Sequence, residues 1–233
     1  MSWQTPLQSN ASLDQIVVEQ SQRTFMARVY RWMFLGLGVT GAVALYTASS
    51  PALLQIVLPH LTLLIIAELV LVLGLSFAAP KVSGPVAGGL FLLYAAMNGL
   101  TFSTIFLAFE LGSIGTAFLL TAGTFGAMSA YATLTKKDLS GWSSFLFMGL
   151  FGVVIAGVVQ LFWHSPGFSF VWSCACVIVF AGLTAYDTQK LRRVHATAGY
   201  SSAASLSITG ALMLYLDFVN LFLALLRLFG RRR

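Results

Sequence analysis

The chain has 233 residues, of which 58% are hydrophobic and 9% carry a formal charge. Soluble domains have about 25% charged residues, so thirteen basic and seven acidic side chains cannot cover a water-soluble globule of this length. Together with a mean hydropathy of +0.87, this composition excludes a cytosolic enzyme, a disordered chain and a disulfide-stabilised scaffold, and it predicts an integral membrane protein.

In chain order, the pattern predicts a polar tail, seven apolar segments and a basic tail. Residues 1–29 are polar and mixed in charge, and we expect a cytoplasmic N-terminal tail there and not a signal peptide. A helix that crosses a bilayer needs about 17–25 mostly apolar residues. Seven segments between residues 30 and 229 fit this length, and we therefore expect residues 30–229 to form a seven-helix transmembrane domain. These segments are 32–48, 54–79, 84–109, 113–134, 142–163, 168–189 and 203–229. Residues 230–233 form the basic C-terminal tail.

The basic residues predict the orientation of these segments. With the N-terminus inside, nine of the thirteen fall on the inner side and the outer loops hold none; the nine are Arg23, Arg28, Arg31, Lys81, Lys136, Lys137, Lys190, Arg192 and Arg193. Because Lys and Arg are enriched in cytoplasmic loops, we expect a cytoplasmic N-terminus, and we expect no nucleic-acid partner. Arg227 and the basic tail would lie on the outer side after seven full crossings, so the last segment has two interpretations. It is a seventh full crossing, which its length favours, or a re-entrant hairpin.

Three acidic residues, Glu68, Asp187 and Asp217, lie inside predicted spans. An Asp at the centre of a membrane helix costs about 2.5–3.5 kcal/mol on insertion scales, so such a residue is a candidate functional site. No Lys or Arg lies deep in a span to neutralise these acids. They must therefore be protonated, share a proton, bind a cation or reach water.

Helical spacing places each acid, or polar side chains near it, on one face of its segment. The last segment aligns Ser205, Thr209, Met213, Asp217 and Asn220, the sixth aligns Ser173, Cys176, Phe180, Thr184 and Asp187, and the third aligns Tyr94, Asn98 and Thr101. If the sixth and seventh helices are antiparallel, Asp187 and Asp217 can lie close together. Two close carboxylates do not both ionise cheaply and titrate as a unit, which predicts a pH-responsive lock.

With both groups ionised, Asp187 and Asp217 also form a sparse candidate metal site for a hard cation such as Ca²⁺, which prefers 6–8 oxygen ligands. Hydroxyl and amide oxygens would complete the site, and we expect no cofactor other than transiently bound calcium. The candidate residues of a polar pathway are Glu68, Asn98, Thr101, Thr209 and Asn220.

Each acid also has a purely structural interpretation. Asp217 can hydrogen-bond a neighbouring helix, Asp187 can be solvated beside Lys190 or Arg192, and Glu68 can be protonated without a role. The chain has no paired-His metal spacing, no phosphate-binding loop and no nucleophile elbow, and we therefore expect no enzymatic activity.

Two stretches that contain the aspartates resemble the Bax-inhibitor (TMBIM) family of membrane proteins in its bacterial branch. They are Ala-Tyr-Asp-Thr-Gln at 185–189 and Leu-Tyr-Leu-Asp-Phe-Val-Asn-Leu-Phe at 214–222, with Leu225, Leu226 and Arg227 after it. Weaker matches are Asn-Gly-Leu-Thr at 98–101 and Thr-Lys-Lys-Asp-Leu-Ser at 135–140. The resemblance covers about residues 25–229.

The resemblance implies a seven-helix bundle in which the last helix is central and surrounded by the other six, in the inner membrane of a bacterium. It also implies a pH-sensitive calcium leak or channel-like activity, with Asp187 and Asp217 as a paired sensor and gate. The second span holds Glu68 and no basic residue. A latch closed by a cation from that span is therefore not expected, and closure should depend on a carboxyl–carboxyl hydrogen bond or on a basic side chain from the inner loops.

Two functions of different classes follow. The first is a cation-leak pathway that is gated by Asp187 and Asp217, with the lipid bilayer, calcium or protons as partners. The alternative is a non-conducting scaffold or regulator that binds a membrane protease or another membrane protein. A proton-coupled transporter is a third interpretation, and Glu68 is the residue that keeps it open.

Overall fold

A computed structural model describes residues 6–79, 81–163, 165–197 and 203–233. The described chain folds into eight α-helices and two 3₁₀ turns, Leu58–His60 and Ser140–Trp142. The helices are α1 (Pro6–Ser49), α2 (Pro51–Val57), α3 (Leu61–Ala78), α4 (Gly84–Ala108), α5 (Leu111–Leu134), α6 (Ser143–Phe162), α7 (Pro166–Thr197) and α8 (Ala203–Phe229).

Seven stretches of these helices are long and apolar enough to cross a membrane, which confirms the predicted number of spans. The second crossing, Pro51–Ala78, contains α2, a 3₁₀ turn and α3. Pro59 lies in that turn, and the α-helical hydrogen bonding is interrupted there because proline has no amide hydrogen to donate.

The first helix begins much earlier than the predicted segment 32–48. Its membrane-spanning part is Glu19–Ser49, so the helix runs through much of the region that we expected to be a polar tail. Phe25, Met26, Val29 and Met33 are all buried, and their spacing places them on one face of α1. Arginines lie between them in the sequence, which lowers the average hydropathy and hides this amphipathic start of the helix.

The last helix is central, as the resemblance implied. In its most apolar stretch 61% of the residues are buried, against 6–33% in the other six spans. Helix α8 packs against α1, α4, α5 and α7, whereas α3 packs on α4 and α6 packs on α7. The bundle therefore has an inner group of five helices and two helices on its outside.

The C-terminal tail fixes the number of crossings. The amide of Glu110 donates a 3.0 Å hydrogen bond to the Arg231 carbonyl, and the amide of Arg233 donates one of 3.0 Å to the Ala108 carbonyl. These contacts place the tail at the end of the bundle where α4 meets α5, which is opposite the end that holds residues 135–139. Helix α8 therefore makes a seventh full crossing, and the re-entrant hairpin is excluded.

Helices α1 and α4 approach closely at Gly99. A Cβ atom on this residue would lie 2.8 Å from the Thr40 carbonyl oxygen and 2.7 Å from the Val43 Cβ. Small residues allow this kind of backbone approach between membrane helices. In contrast, Gly123 and Gly126 on α5 have open space where a Cβ would be, so these two glycines are not used for packing within the chain.

Candidate functional site

The two aspartates of the predicted pair lie on neighbouring helices in the core of the bundle. Asp187 on α7 is 9% exposed and Asp217 on α8 is 4% exposed. Helices α7 and α8 are packed against each other, and Asp187 is close enough to act electrostatically on Asp217. The structure therefore places the two acids on packed helices, within electrostatic range of each other.

The burial of these aspartates follows from the faces of their helices. The face of α7 that we predicted is buried along its length, and its members are Ser173, Cys176, Phe180, Thr184 and Asp187. On α8 the outcome differs, because Thr209, Met213 and Asn220 are only half-buried while Leu214, Tyr215 and Leu221 are fully buried. A helix that is enclosed on most sides has no single buried polar stripe.

Few neighbouring groups compensate the negative charge of Asp187 and Asp217. The Oδ2 atom of Asp217 is buried and has no hydrogen-bond partner among the described residues. Lys190, three residues after Asp187, acts on it electrostatically, and its ammonium group lies over the Tyr186 ring, 5.8 Å from the centroid. No ion pair to either aspartate is formed within the described ranges. A buried acid without full compensation favours protonation, sharing of a proton or uptake of a cation.

A chain of hydroxyl groups runs from the residue after Asp187 to the first helix. The Thr188 hydroxyl lies 3.3 Å from the Ser129 hydroxyl, and Ser129 is hydrogen-bonded to the Tyr30 hydroxyl. This chain joins α7, α5 and α1. The sequence does not indicate this chain of hydroxyl groups, because Tyr30 and Ser129 lie in segments that show no unusual polarity and are 99 residues apart.

Beyond the hydroxyl chain, α7 holds the segment between α5 and α6. Gln189 accepts a 2.8 Å hydrogen bond from the Leu139 amide and donates one of 2.9 Å to the Lys137 carbonyl. Arg193 pairs with Asp138 at 2.5 Å. Gln189 is part of the Tyr-Asp-Thr-Gln stretch, so the motif contained this residue although its role became visible only in the fold.

Asp138 in this contact region lies outside the membrane spans and has a perturbed proton affinity. Hydrogen bonding to the Ser140 side chain, then the 2.7 Å hydrogen bond from the Ser140 amide, and then the Arg193 guanidinium lower its pKa to about 2. The carboxylate is therefore ionised at all ordinary pH values, and it is a fixed charge and not a sensor.

The candidate pathway residues do not form one continuous line. Thr101 on α4 donates a hydrogen bond to the Glu68 carboxylate on α3, and Asn98 lies one turn before Thr101 on the same helix. Thr209 and Asn220 instead hydrogen-bond the Ser205 and Leu216 carbonyls of their own helix. The structure thus separates the predicted set into an α3–α4 group and two residues of α8.

As a metal site, the aspartate pair is sparse. Throughout the part of the chain that the structure describes, no three His, Cys, Asp or Glu side chains converge on one point. The pair offers up to four carboxylate oxygens, and a hard cation requires further oxygens from hydroxyl groups, carbonyls or water. Such a site suits a passing cation better than a resident one.

A helical bundle with seven crossings and a buried acid on each of the two packed helices α7 and α8 is the architecture of a polytopic membrane protein. The family model described as "Inhibitor of apoptosis-promoting Bax1" matches residues 22–233. The inner membrane protein YbhL of Escherichia coli strain K12 is 48% identical over 217 residues, which are 91% of this chain and 93% of that protein.

Two further relatives are similar over almost their whole length. A protein of Deinococcus radiodurans is 45% identical over 228 residues, covering 95% of this chain and 98% of that protein. One of Borreliella burgdorferi is 38% identical over 214 residues, covering 90% and 92%. The chain belongs to the Bax-inhibitor family, and it is an integral membrane protein.

Proposed function

We propose that this protein is a pH-sensitive cation leak, with Ca²⁺ as its cargo, that is gated by Asp187 and Asp217. The observation that carries the proposal is the placement of two buried acids on the packed helices α7 and α8. The unpartnered Oδ2 of Asp217 supports it, because a buried acceptor without a donor is costly unless a proton or a cation occupies it.

The gating step follows from the chemistry of the pair. When the two carboxyl groups share one proton, one of them donates to the other and α7 stays packed on α8. When that proton is lost, two like charges in a medium of low dielectric repel each other. The helices then separate until water or a cation screens the charges. The leak is therefore expected to rise with pH through the titration of the pair as a unit.

The proposal includes the orientation of the protein in the membrane. Nine basic residues lie at or near one end of the bundle, and this end faces the cytoplasm under the positive-inside rule. The N-terminus is then cytoplasmic and the C-terminal tail is on the other side. In a bacterial cell the membrane is the inner one, as the name of the relative YbhL states for that protein.

The test is a flux measurement on the full chain in liposomes that contain a calcium dye, with steps of external pH. D217N and D187N are expected to lose the pH response, because an amide cannot share or release the proton. S207A is the matched control, since Ser207 is a buried polar residue of the same helix. A D217N variant with the flux and pH response of the wild type would show that the gate is assigned wrongly.

One observation favours the alternative function, a non-conducting scaffold for another membrane protein. Ala122, Gly126 and Ala130 recur every four residues on α5 and are exposed. With Tyr30 and Phe34 they line a crevice of about 440 Å³, and small residues at this spacing are typical of helix–helix contacts in lipid. Flux equal to that of empty liposomes, together with a membrane protein that co-purifies with the wild type but not with G126L, would favour the scaffold.

A further inference from the structure

A second group of polar side chains lies on the side of α8 that faces away from Asp217. Tyr215 precedes Asp217 by two residues, so the two side chains point about 160° apart around the helix. The Tyr215 ring packs edge-on against Phe91 and Tyr94 of α4. Its hydroxyl lies 2.7 Å from that of Thr40 on α1. This group of side chains is therefore separated from the aspartate pair by the body of the central helix.

The acid of this second group is Glu68. It lies within the second crossing and is half-buried. The Thr101 hydroxyl donates a hydrogen bond to its Oε1 atom. The side chains before and after it, Ala67 and Leu69, are apolar. A single hydroxyl group is little compensation for a carboxylate at this depth.

Glu68 faces the polar side of α4. Tyr94, Asn98 and Thr101 share that side of the helix, and Glu68 acts on Tyr94 electrostatically as well as accepting the Thr101 hydrogen bond. The Asn98 side chain, which is 5% exposed, interacts with Tyr94. Thr101 is therefore the hydrogen-bond donor that the described residues supply to Glu68.

Among the described residues, the ionisable groups that interact with Glu68 are phenols. On α4 the ionisable neighbour is Tyr94, and on α8 it is Tyr215, which also interacts with Glu68 electrostatically. On α3 and α1 the described groups that face the cluster are apolar side chains and the Thr40 hydroxyl. No Lys, Arg or His acts on Glu68 within the described ranges. This distinguishes the site from Asp187, on which Lys190 acts.

We propose that Glu68 is a second proton-binding site of the protein, and that Thr101 is the donor that receives the carboxylate when its proton leaves. In the acid form the carboxyl group is neutral and suits its apolar surroundings. When the proton passes to water, the Thr101 O–H donates to the carboxylate and offsets part of the cost of its charge.

The ligand is a proton and not a metal ion for a simple reason of charge and coordination. The cluster offers one carboxylate, and the group that hydrogen-bonds it is a single hydroxyl. A divalent cation would leave excess positive charge in the membrane and would lack most of the 6–8 oxygen ligands that a cation such as Ca²⁺ prefers. A proton neutralises the site completely. The proposal goes beyond the aspartate gate and holds whether or not that gate conducts calcium.

The first experiment is labelling of the full chain in liposomes with dicyclohexylcarbodiimide, which adds to protonated carboxylic acids in an apolar environment. The adduct on the peptide that contains Glu68 is measured by mass spectrometry between about pH 5 and pH 9. We expect labelling to fall by about tenfold or more as the pH rises. The double variant D187N/D217N should label Glu68 as the wild type does, because the two sites lie on opposite sides of α8.

Two variants separate a proton site from a structural contact. T101V removes the donor that stabilises the carboxylate, so labelling of Glu68 should persist to a pH about one unit higher. S103A is the control on the same helix, because Ser103 is buried and bonds the Leu100 carbonyl, and it should leave the pH profile unchanged. Equal profiles for T101V and S103A would overturn the role of Thr101.

An infrared measurement tests the same proposal without depending on access of the labelling reagent to Glu68. The C=O absorption of a protonated carboxylic acid should be present in the wild type at low pH, absent at high pH and missing in E68Q at both. A band assigned to Glu68 that never forms, or one that never disappears over the range, overturns the proposal. If the wild type shows this pH-dependent band and E68Q loses calcium flux, the loss of flux concerns the leak and not the proton site.

Discussion

Thr40 and Tyr215, which are 175 residues apart in the chain, are joined by a 2.7 Å hydrogen bond between their hydroxyl groups. The single hydroxyl hydrogen of Thr40 is directed to the Gly36 and Ala95 carbonyls, at 3.0 Å and 2.8 Å. Tyr215 is therefore the donor and Thr40 the acceptor. One threonine thus connects α1, α4 and α8.

The first prediction concerns this bond. Tyr215→Phe removes the donor but leaves the ring contacts and the carbonyl bonds of Thr40 in place. Interhelical hydrogen bonds in membrane proteins contribute about 0.6 kcal/mol on average, so we expect a fall of that size in the free energy of unfolding in detergent. Tyr131→Phe is the control, because Tyr131 is 45% exposed. A Tyr215→Phe variant as stable as this control would contradict the importance of the bond.

The second prediction uses the close approach of α1 and α4. Gly99→Ala places a methyl group against the Thr40 carbonyl and Val43, and overpacking of this kind costs about 1–3 kcal/mol. Gly123→Ala has the same chemistry in open space and is expected to stabilise α5 slightly, because alanine is the better helix former. Thermal unfolding of both variants measures the difference, and equal melting temperatures would show that the two backbones can move apart without cost.

The third prediction concerns the contacts of Gln189 with the segment between α5 and α6. Gln189→Leu removes both hydrogen bonds to Lys137 and Leu139, so the segment should be released and trypsin should cut after Lys136 or Lys137 several-fold faster. Gln160→Leu is the matched control, because the Gln160 Oε1 atom is buried without a partner and its removal costs nothing. Unchanged cleavage in Gln189→Leu would mean that other contacts hold the segment.

The fourth prediction is the pH dependence of the Asp138 ion pair. Because the folded state lowers the pKa of Asp138 to about 2 from 3.8, the pair contributes fully above pH 4 and its contribution is lost as the pH falls through 2. Asp138 therefore cannot cause a change between pH 5 and pH 8. We expect Asp138→Asn to leave the pH midpoint of calcium flux where it is in the wild type, and a shifted midpoint would show that this residue takes part in sensing.

The fifth prediction is the topology. In a variant with both native cysteines replaced, R232C is expected to react with a membrane-impermeant thiol reagent added outside intact cells. K137C should react only after the cells are opened. Reaction of both positions from the same side would contradict the seventh crossing, whereas the reverse result would keep the crossings and overturn the cytoplasmic N-terminus.

The sequence alone predicts a large part of the fold and the position of the main acids. Span number follows from the length of apolar segments, and the burial of Asp187 follows from the helical spacing that puts it on the polar face of its segment. It does not predict the start of α1, because the buried side chains of that region alternate with arginines. The sequence does not predict the 3₁₀ break at Pro59 for a different reason. Counting the apolar residues of a segment does not detect that one residue, a proline, lacks an amide hydrogen.

The contacts between distant residues could not be predicted. Nothing in the local pattern connects Tyr30 with Ser129, or Glu68 with Thr101, because these pairs depend on which helices are neighbours and at what height they meet. The face of α4 with Tyr94, Asn98 and Thr101 was visible in the spacing. That Thr101 on this face donates a hydrogen bond to Glu68 is a fact of the three-dimensional packing.

The central position of the last helix has a consequence for biogenesis. A ribosome completes α8 last, so the six preceding spans enter the bilayer before the helix on which four of them pack has been made. The inserted intermediate lacks its core, and its final arrangement forms only once α8 has entered the bilayer. Every nascent chain thus passes through a stage in which the partners of α8 are exposed to lipid, and a truncation within α8 affects the whole bundle and not its edge.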